Sequence, residues 1–430
     1  MGVVTLKQWL RGLWGGMWFI PAMMTLGSVA LAVVLSGIAG WMPLKPGDSP
    51  HFQAAAARGV LTTLASASIT VAALVLSITM VVLSSASSQF GPRLLPNFIG
   101  RTGPKLAVGG FMASFAYQVV VASAATPEHP VSDLAVWVGV IGSLASFVIL
   151  LAFIQMVARY IQAPLIVDDV TADLCRSLAA FMDSDSRGAD PDSARLDPTW
   201  AERSRIHSRR SGYVQEIDIG CLRRIATSAG GCLRCEVRAG TFVAKGDLLA
   251  VFLGPQGDEL EAGPAEAGFG FGPRRTAQQD VEFAIRQLVE VAARALSPGV
   301  NDPYTAINVI ERIGGAFREV ADRPVPRGLW HDDEGVPRLM LPVPDATALV
   351  DGAYLPLRQH ARSSEAVAIA LMDSYRVMAS RPLHPDFAVA LRRHADLLLA
   401  DGEETFLSEF DREALRRRHG RVIEALGRTD

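Results

Sequence analysis

Four stretches of this chain, residues 13–44, 59–92, 106–127 and 134–158, contain no Asp, Glu, Lys, Arg or His. Each exceeds the roughly 20 apolar residues that cross a hydrocarbon core about 30 Å thick. Water is not available there to satisfy backbone N–H and C=O groups, so each stretch must close its own hydrogen bonds as a helix. The pattern predicts a four-helix transmembrane domain over residues 1–163. Trp14, Trp18, Trp41 and Trp137 fall near the predicted ends, where an indole ring favours the membrane–water interface.

The apolar excess behind a mean hydropathy of +0.25 sits in these first residues; the remainder reads as an ordinary α+β protein. A formal net charge of −3 offers no basic field for nucleic acid. Lys7 and Arg11 precede the first apolar run, which is too long for a signal-peptide core of roughly 7–15 residues. Arg93, Arg101 and Lys105 lie between the second and third runs without an acid, while residues 128–133 hold no Lys or Arg. The positive-inside rule therefore puts both termini in the cytoplasm. Cys175, Cys221, Cys232 and Cys235 then face a reducing compartment, which argues against structural disulfides.

The spans differ in chemistry. The first repeats small residues at Ser28, Ala32, Ser36 and Gly40, a face that lets helix backbones approach closely. The third offers Gly110, Ser114 and a lone polar Gln118, the fourth Gly139 and Ser143. In the second, Thr63, Ser66, Thr70, Ser77, Ser84 and Ser88 fall within a sector of about 60° at 3.6 residues per turn. Such a stripe can pack on neighbouring helices or line a wet path. If it lines a path, Arg93 just beyond it supplies a positive ring at the cytoplasmic mouth. Spans without ionisable groups argue against a proton-driven pump, whose relay needs one.

Beyond the membrane, residues 165–182 read as a helix leaving the bilayer, and 183–198 as a polar loop, together a helix and linker over 164–204. A small β module is expected over 205–260, with a helical insertion at 221–228. Val-x-x-Gly-x-x-Val-x-x-Gly-x-x-Leu from Val237 to Leu249 is similar to the hairpins of biotinyl/lipoyl barrel-sandwich domains, although the methionines that flank a carrier lysine are missing around Lys245. Covalent cofactor attachment is not expected, nor is any other cofactor. Cys232 and Cys235 form one C-x-x-C without the second pair that a structural zinc site wants; they read as buried strand residues, and no metal site is expected. Gly268, Gly270 and Gly272 read as a flexible connector.

Residues 261–430 read as a mainly helical domain. Val281, Ala284, Ile285, Leu288, Ala292 and Ala295 make an apolar helix face. Glu282, Arg286, Glu290 and Arg294 form a ladder four residues apart. That helix stops at Ser297-Pro298-Gly299, and Asp302 with Pro303 opens the next. Asn301 and Asp302 could instead bind a cation or a partner. A β-hairpin is expected over 330–355, followed by helices at 364–379, 385–399 and 403–426. No Walker loop, H-E-x-x-H or G-x-S-x-G occurs, so no catalytic residues are proposed and the chain does not read as an enzyme.

Three segments carry a family resemblance: Gln89-Phe90-Gly91-Pro92-Arg93, Ser211-Gly212-Tyr213-Val214-Gln215, and residues 275–306, which read RTAQQDVEFAIRQLVEVAARALSPGVNDPYTA. The chain resembles the bacterial membrane proteins of the domain-of-unknown-function 2254 family. Its motif positions here are Arg275, Asp280, Arg286, Gln287, Ser297, Pro298, Asn301, Asp302 and Pro303; Ala284 stands where a glycine is expected. The resemblance implies a bacterial inner-membrane location and brings no activity or substrate. From the residues themselves, the reading is a homo-oligomeric channel or pore for small ions, surrounded by membrane lipids. The alternative is a membrane-anchored binding or sensory module without transport.

Overall fold

The computed structural model describes residues 16–36, 52–90, 102–126, 131–160, 163–184, 200–255 and 260–427. They form two compact units, one within residues 9–162 and the other within 163–430.

The first unit contains α1 (Phe19–Leu35), α2 (Ala54–Phe90), α3 (Thr102–Ala124) and α4 (Asp133–Tyr160). Within α2, α3 and α4, the segments Ala54–Ser85, Thr102–Ala124 and Asp133–Ala158 are long and apolar enough to cross a membrane. At 17 residues, α1 reaches about 26 Å, short of a full hydrocarbon core; residues 13–15 and 37–44 of its charge-free stretch lie outside the described residues. Helix α3 packs against the other three and is the most buried of the long helices. Its small residues allow that position. Gly110 sits against Ile149 and Ser146, and a methyl group on Gly139 of α4 would meet Leu61 at 2.7 Å.

The second unit opens with α5 (Ala163–Met182) and continues through β1 (Ala201–His207), β2 (Gly212–Ile217), α6 (Ile219–Ser228), β3 (Cys232–Cys235), β4 (Phe242–Val243), β5 (Leu248–Gly254), the short α7 (Ala262–Glu266) and β6 (Phe269–Gly272). After α8 (Val281–Ala295) and α9 (Pro303–Arg318) come β7 (Leu329–His331) and β8 (Pro337–Met340). Helices α10 (Ala346–Ala361), α11 (Glu365–Met378), α12 (Pro385–Thr405) and α13 (Glu409–Leu426) end the chain. The strands form a five-stranded sheet, β1-β5-β3-β8-β7, and a three-stranded sheet, β4-β2-β6. Ile206, Val214, Leu233, Leu249, Phe252 and Phe269 share one core with Leu222 of α6 and with Trp330 and Leu339 of the late hairpin.

Three expectations change. The β module does not close within 205–260: β8 pairs in parallel with β3, through Leu233–Leu339 and Arg234–Met340, so the sheet draws a hairpin from nearly 100 residues downstream. Such non-local pairing leaves no local signal. Residues 269–272 are not a connector but strand β6, antiparallel to β2 from Tyr213↔Gly272 to Ile217↔Phe269. The glycines fit there because a side chain at Gly272 would overlap Gln215. Finally, the predicted 330–355 hairpin ends at Met340, and Ala346–Ala361 is a helix that carries Pro356 inside it, a residue that argues against helix when read locally.

Candidate functional site

The hydroxyl stripe of α2 lies on the outside of its unit. Ala57, Leu61, Ala65, Ser68, Ala72 and Val75 are the buried face, and the stripe points the opposite way. Thr63, Ser66, Thr70, Ser77 and Ser84 are all exposed. Thr63, Ser66 and Thr70 donate to the carbonyls of Gly59, Thr62 and Ser66 at 2.9, 3.0 and 2.8 Å. Their hydroxyls are thus satisfied by their own helix, four residues back. Ser88 belongs to α2, but its side chain lies outside the described residues, as does Arg93.

The outer face of α4 is chemically different. Leu134, Ile141, Leu144, Phe147, Val148 and Leu151 project from it, with Leu144 63% and Val148 66% exposed. These are the bulky side chains that acyl tails solvate well. The exposed face of α4 is thus bulky and apolar, whereas on α2 the exposed hydroxyls and alanines alternate with Leu74, Met80 and Val81.

Of the small-residue face on α1, Ala32 is fully buried and packs in a cluster with Leu61, Tyr117 and Val121. Ser28 and Ser36 are half-buried and donate back to Thr25 and Val33. Gly40 lies outside the described residues.

Inside the unit, Gln118 is a polar hub. Its Nε2 donates to Ser114 Oγ at 3.1 Å, to Ser143 Oγ at 2.5 Å and to the Gly139 carbonyl at 3.2 Å, while its Oε1 accepts from Ser68 at 3.4 Å. Three helices meet at one fully buried amide. The helical spacing of Gly110, Ser114 and Gln118 marks this face in the sequence; the matching residue on α2 is Ser68, which lies off the conspicuous stripe.

In the second unit the family motif builds a clasp. Arg275 grips Asp280 with two hydrogen bonds, Nε to Oδ2 at 2.6 Å and Nη2 to Oδ1 at 2.9 Å. Asp280 is buried and caps α8 by accepting from the Phe283 amide at 3.0 Å. The neighbouring Gln279 acts as a short strand: Oε1 accepts from the Ile217 amide at 2.8 Å, and Nε2 donates to its carbonyl at 3.2 Å. Gly240, at φ +89, lies against the Asp280 carboxylate where a Cβ would collide. The clasp thus joins β2 and the turn before β4 to the start of α8. Further along, Gln287 is buried and Arg286 exposed.

The Ser297–Pro303 segment is a helix-to-helix turn. Ser297 Oγ donates to the Arg294 carbonyl, and the Asp302 amide returns to the Ala295 carbonyl at 2.8 Å, closing the end of α8. Asn301 takes φ +49, alone among the described non-glycine residues, a conformation that asparagine tolerates better than most. Asp302 accepts from the Thr305 amide and hydroxyl, and the Thr305 hydroxyl, with its amide, draws the carboxyl below its usual range. Pro303 occupies the first turn of α9. Capping accounts for Asp302 and Pro303.

Cys232 and Cys235 are buried in β3. Burial pushes the Cys232 thiol up to about 12 and raises that of Cys235 as well, which keeps both protonated and unreactive. Beside the clasp, a cavity of about 290 Å³ is lined by Phe181, Ile217, Gln278, Glu282, Trp330 and Leu341, among others.

Comparison with known proteins supplies the family. An uncharacterized protein of Mycobacterium bovis and one of Mycobacterium tuberculosis are each 28% identical over 441 residues, covering 98% of this chain and 83% of the relative. No solved structure matches the chain. The family described as "Predicted membrane protein (DUF2254)" matches residues 14–376, and the chain belongs to it.

Proposed function

We propose that the protein is a four-span membrane protein of the bacterial inner membrane, with both termini cytoplasmic. In this reading copies associate through the outer face of α2 to enclose a path for small ions. The observation that carries it is the contrast between two exposed helix faces: bulky and apolar on α4, and on α2 a run of hydroxyls set among Leu74, Met80 and Val81. Lipid tails gain little against Thr63, Ser66, Thr70, Ser77 and Ser84, whereas a neighbouring helix or a file of water does. Hydroxyls solvate a passing ion weakly, and weak binding lets it leave. Catalysis has no part in this reading.

The test is flux through proteoliposomes containing the purified chain. Ser77→Leu, at the middle of the stripe, should cut the flux at least tenfold, while Ile69→Leu on the flank of the same helix should leave it unchanged. Ser68 is unsuitable as a neutral control, because its hydroxyl is held by Gln118 in the core. Flux indistinguishable from empty vesicles under every gradient tried would sink the channel.

A second reading, a membrane-anchored binding module without transport, draws support from two observations. The Thr63, Ser66 and Thr70 hydroxyls need no water, being bonded to their own helix, and the second unit holds the cavity beside the clasp. Protein that is inert in flux assays but stabilised by a small apolar ligand would favour it.

A further inference from the structure

The last four helices enclose a histidine in an unusual setting. His394 on α12 has no solvent exposure. Its Nε2 donates to Asp351 Oδ1 of α10 at 2.8 Å, and Asp351 also receives Arg393. The other ring nitrogen, Nδ1, is buried and meets no hydrogen-bond partner among the described residues. Tyr354 of α10 and Tyr375 of α11 wall in the imidazole, with ring centroids 6.1 and 6.2 Å away and both phenols fully buried. The charged groups that act on the ring are Asp351 and Arg358 from α10 and Arg393 from its own helix. Arg358 is engaged with Asp401 of α12.

We infer that His394 is a pH-sensitive latch: as a neutral imidazole it fastens α12 to α10, and its protonation loosens the packing of α10, α11 and α12. With Nε2 committed to Asp351, the added proton must go to Nδ1, and there it becomes a buried donor without a partner. Leaving such a group unpaired is expensive in a dry core. Asp351 is already shared with Arg393 and Asp401 is taken up by Arg358, so no spare carboxylate in the pocket compensates the new charge. Desolvation accordingly holds the His394 pKa below 6.5, with Asp351 opposing and Arg393 and Arg358 adding to the effect.

The direction follows. Below the unfolded pKa the unfolded chain binds the proton more readily than the folded chain, so stability is fully present above about pH 6.5 and is lost as pH falls from there toward the lower folded value. The Asp351 carboxyl stays ionised through this window, because burial, which raises its pKa, is outweighed by its bonds to Arg393 and His394.

Hydrogen exchange of the full-length protein in detergent, corrected for intrinsic rates, tests the latch between pH 7.5 and 5. Peptides from α10 to α12 should lose protection by up to about tenfold per pH unit from about pH 6.5 down to the folded pKa and level off below it, if opening releases one proton-linked constraint. Peptides of β5 serve as the internal reference. His394→Gln keeps an amide donor toward Asp351 and cannot titrate, so its protection should stay flat across the range. Should that variant fail to fold, Asp351→Asn provides the second reading: removing the carboxylate that favours the imidazolium should move the transition to lower pH. A flat wild-type profile overturns the proposal. So does a glutamine variant with the wild-type midpoint, or a midpoint unmoved in Asp351→Asn.

Discussion

At the scale of single residues, the clasp concentrates the most consequence in the fewest atoms. Asp280 is nearly inaccessible, and its charge is compensated by Arg275 and by the α8 amide it caps. Removing one partner of such a pair leaves an uncompensated buried charge, typically costing about 3–5 kcal/mol. Arg275→Met is therefore expected to lower the melting temperature of the second unit by roughly 6–20 °C, on the usual scaling for a unit of this size. A shift under 2 °C in a thermal scan would show that the pair is decoration. Gly240→Ala strikes the same place from the turn before β4, since the residue combines a positive φ with contact against the carboxylate; its melting temperature should fall as well. The cysteines give a contrasting expectation. Each is a buried apolar filler, so Cys232→Ala should cost only the small cavity it leaves, whereas Cys232→Ser buries a hydroxyl in the same strand and should cost more. Equal melting temperatures for the two variants would contradict that account.

At the scale of elements, the Gln118 hub shows how three membrane helices share one amide. Interhelical hydrogen bonds in membranes average about 0.6 kcal/mol and rarely exceed 1.7, because the separated helices find other partners. Gln118→Leu should accordingly be tolerated, its former serine partners turning back to their own helix carbonyls. Gly139→Leu should not, because Leu61 and Tyr117 already fill the space beside it. Comparing the two by resistance to unfolding in mixed detergent separates close packing from polar bonding; a more damaging Gln118→Leu would reverse the argument. Most of these elements were legible beforehand for a plain reason. A charge-free run in lipid has few alternatives to a helix, and the α8 face with its Ser-Pro-Gly stop and Asp-Pro start is local chemistry. What stayed hidden depends on distant partners. The β7–β8 hairpin is expected from its own residues, but its pairing with β3 depends on both segments; β6 is recognisable only beside β2, and Ser68 matters only because Gln118 lies across from it. The buried His394 likewise sits in a helix whose sequence gives no hint that Asp351, 43 residues earlier, will face it.

At the scale of the whole molecule, a path for ions requires more than one copy. The core of the first unit is closed: Gln118, Tyr117, Leu61 and Val75 fill it with side chains, as in a compact helix bundle. One of the faces left over is the outer side of α2, where residues of the stripe recur over several turns. Cyclic association would bring identical residues of each copy around one axis. Ser77, being exposed and near the middle of α2, should then lie close to its own counterpart in the next copy. In a variant whose four native cysteines are replaced by alanine, Ser77→Cys should form an intersubunit disulfide in native membranes under mild oxidation. Leu144→Cys, on the bulky outer face of α4, should remain monomeric under the same treatment. If the stripe lines water as well as a neighbour, the Ser77 cysteine should also react with a small membrane-impermeant thiol reagent, and modification should reduce flux. Cross-linking without reactivity would assign the stripe to packing and leave the binding-module reading standing. Preferential cross-linking through Leu144→Cys would place the contact on the wrong helix and end the model of an α2-lined axis.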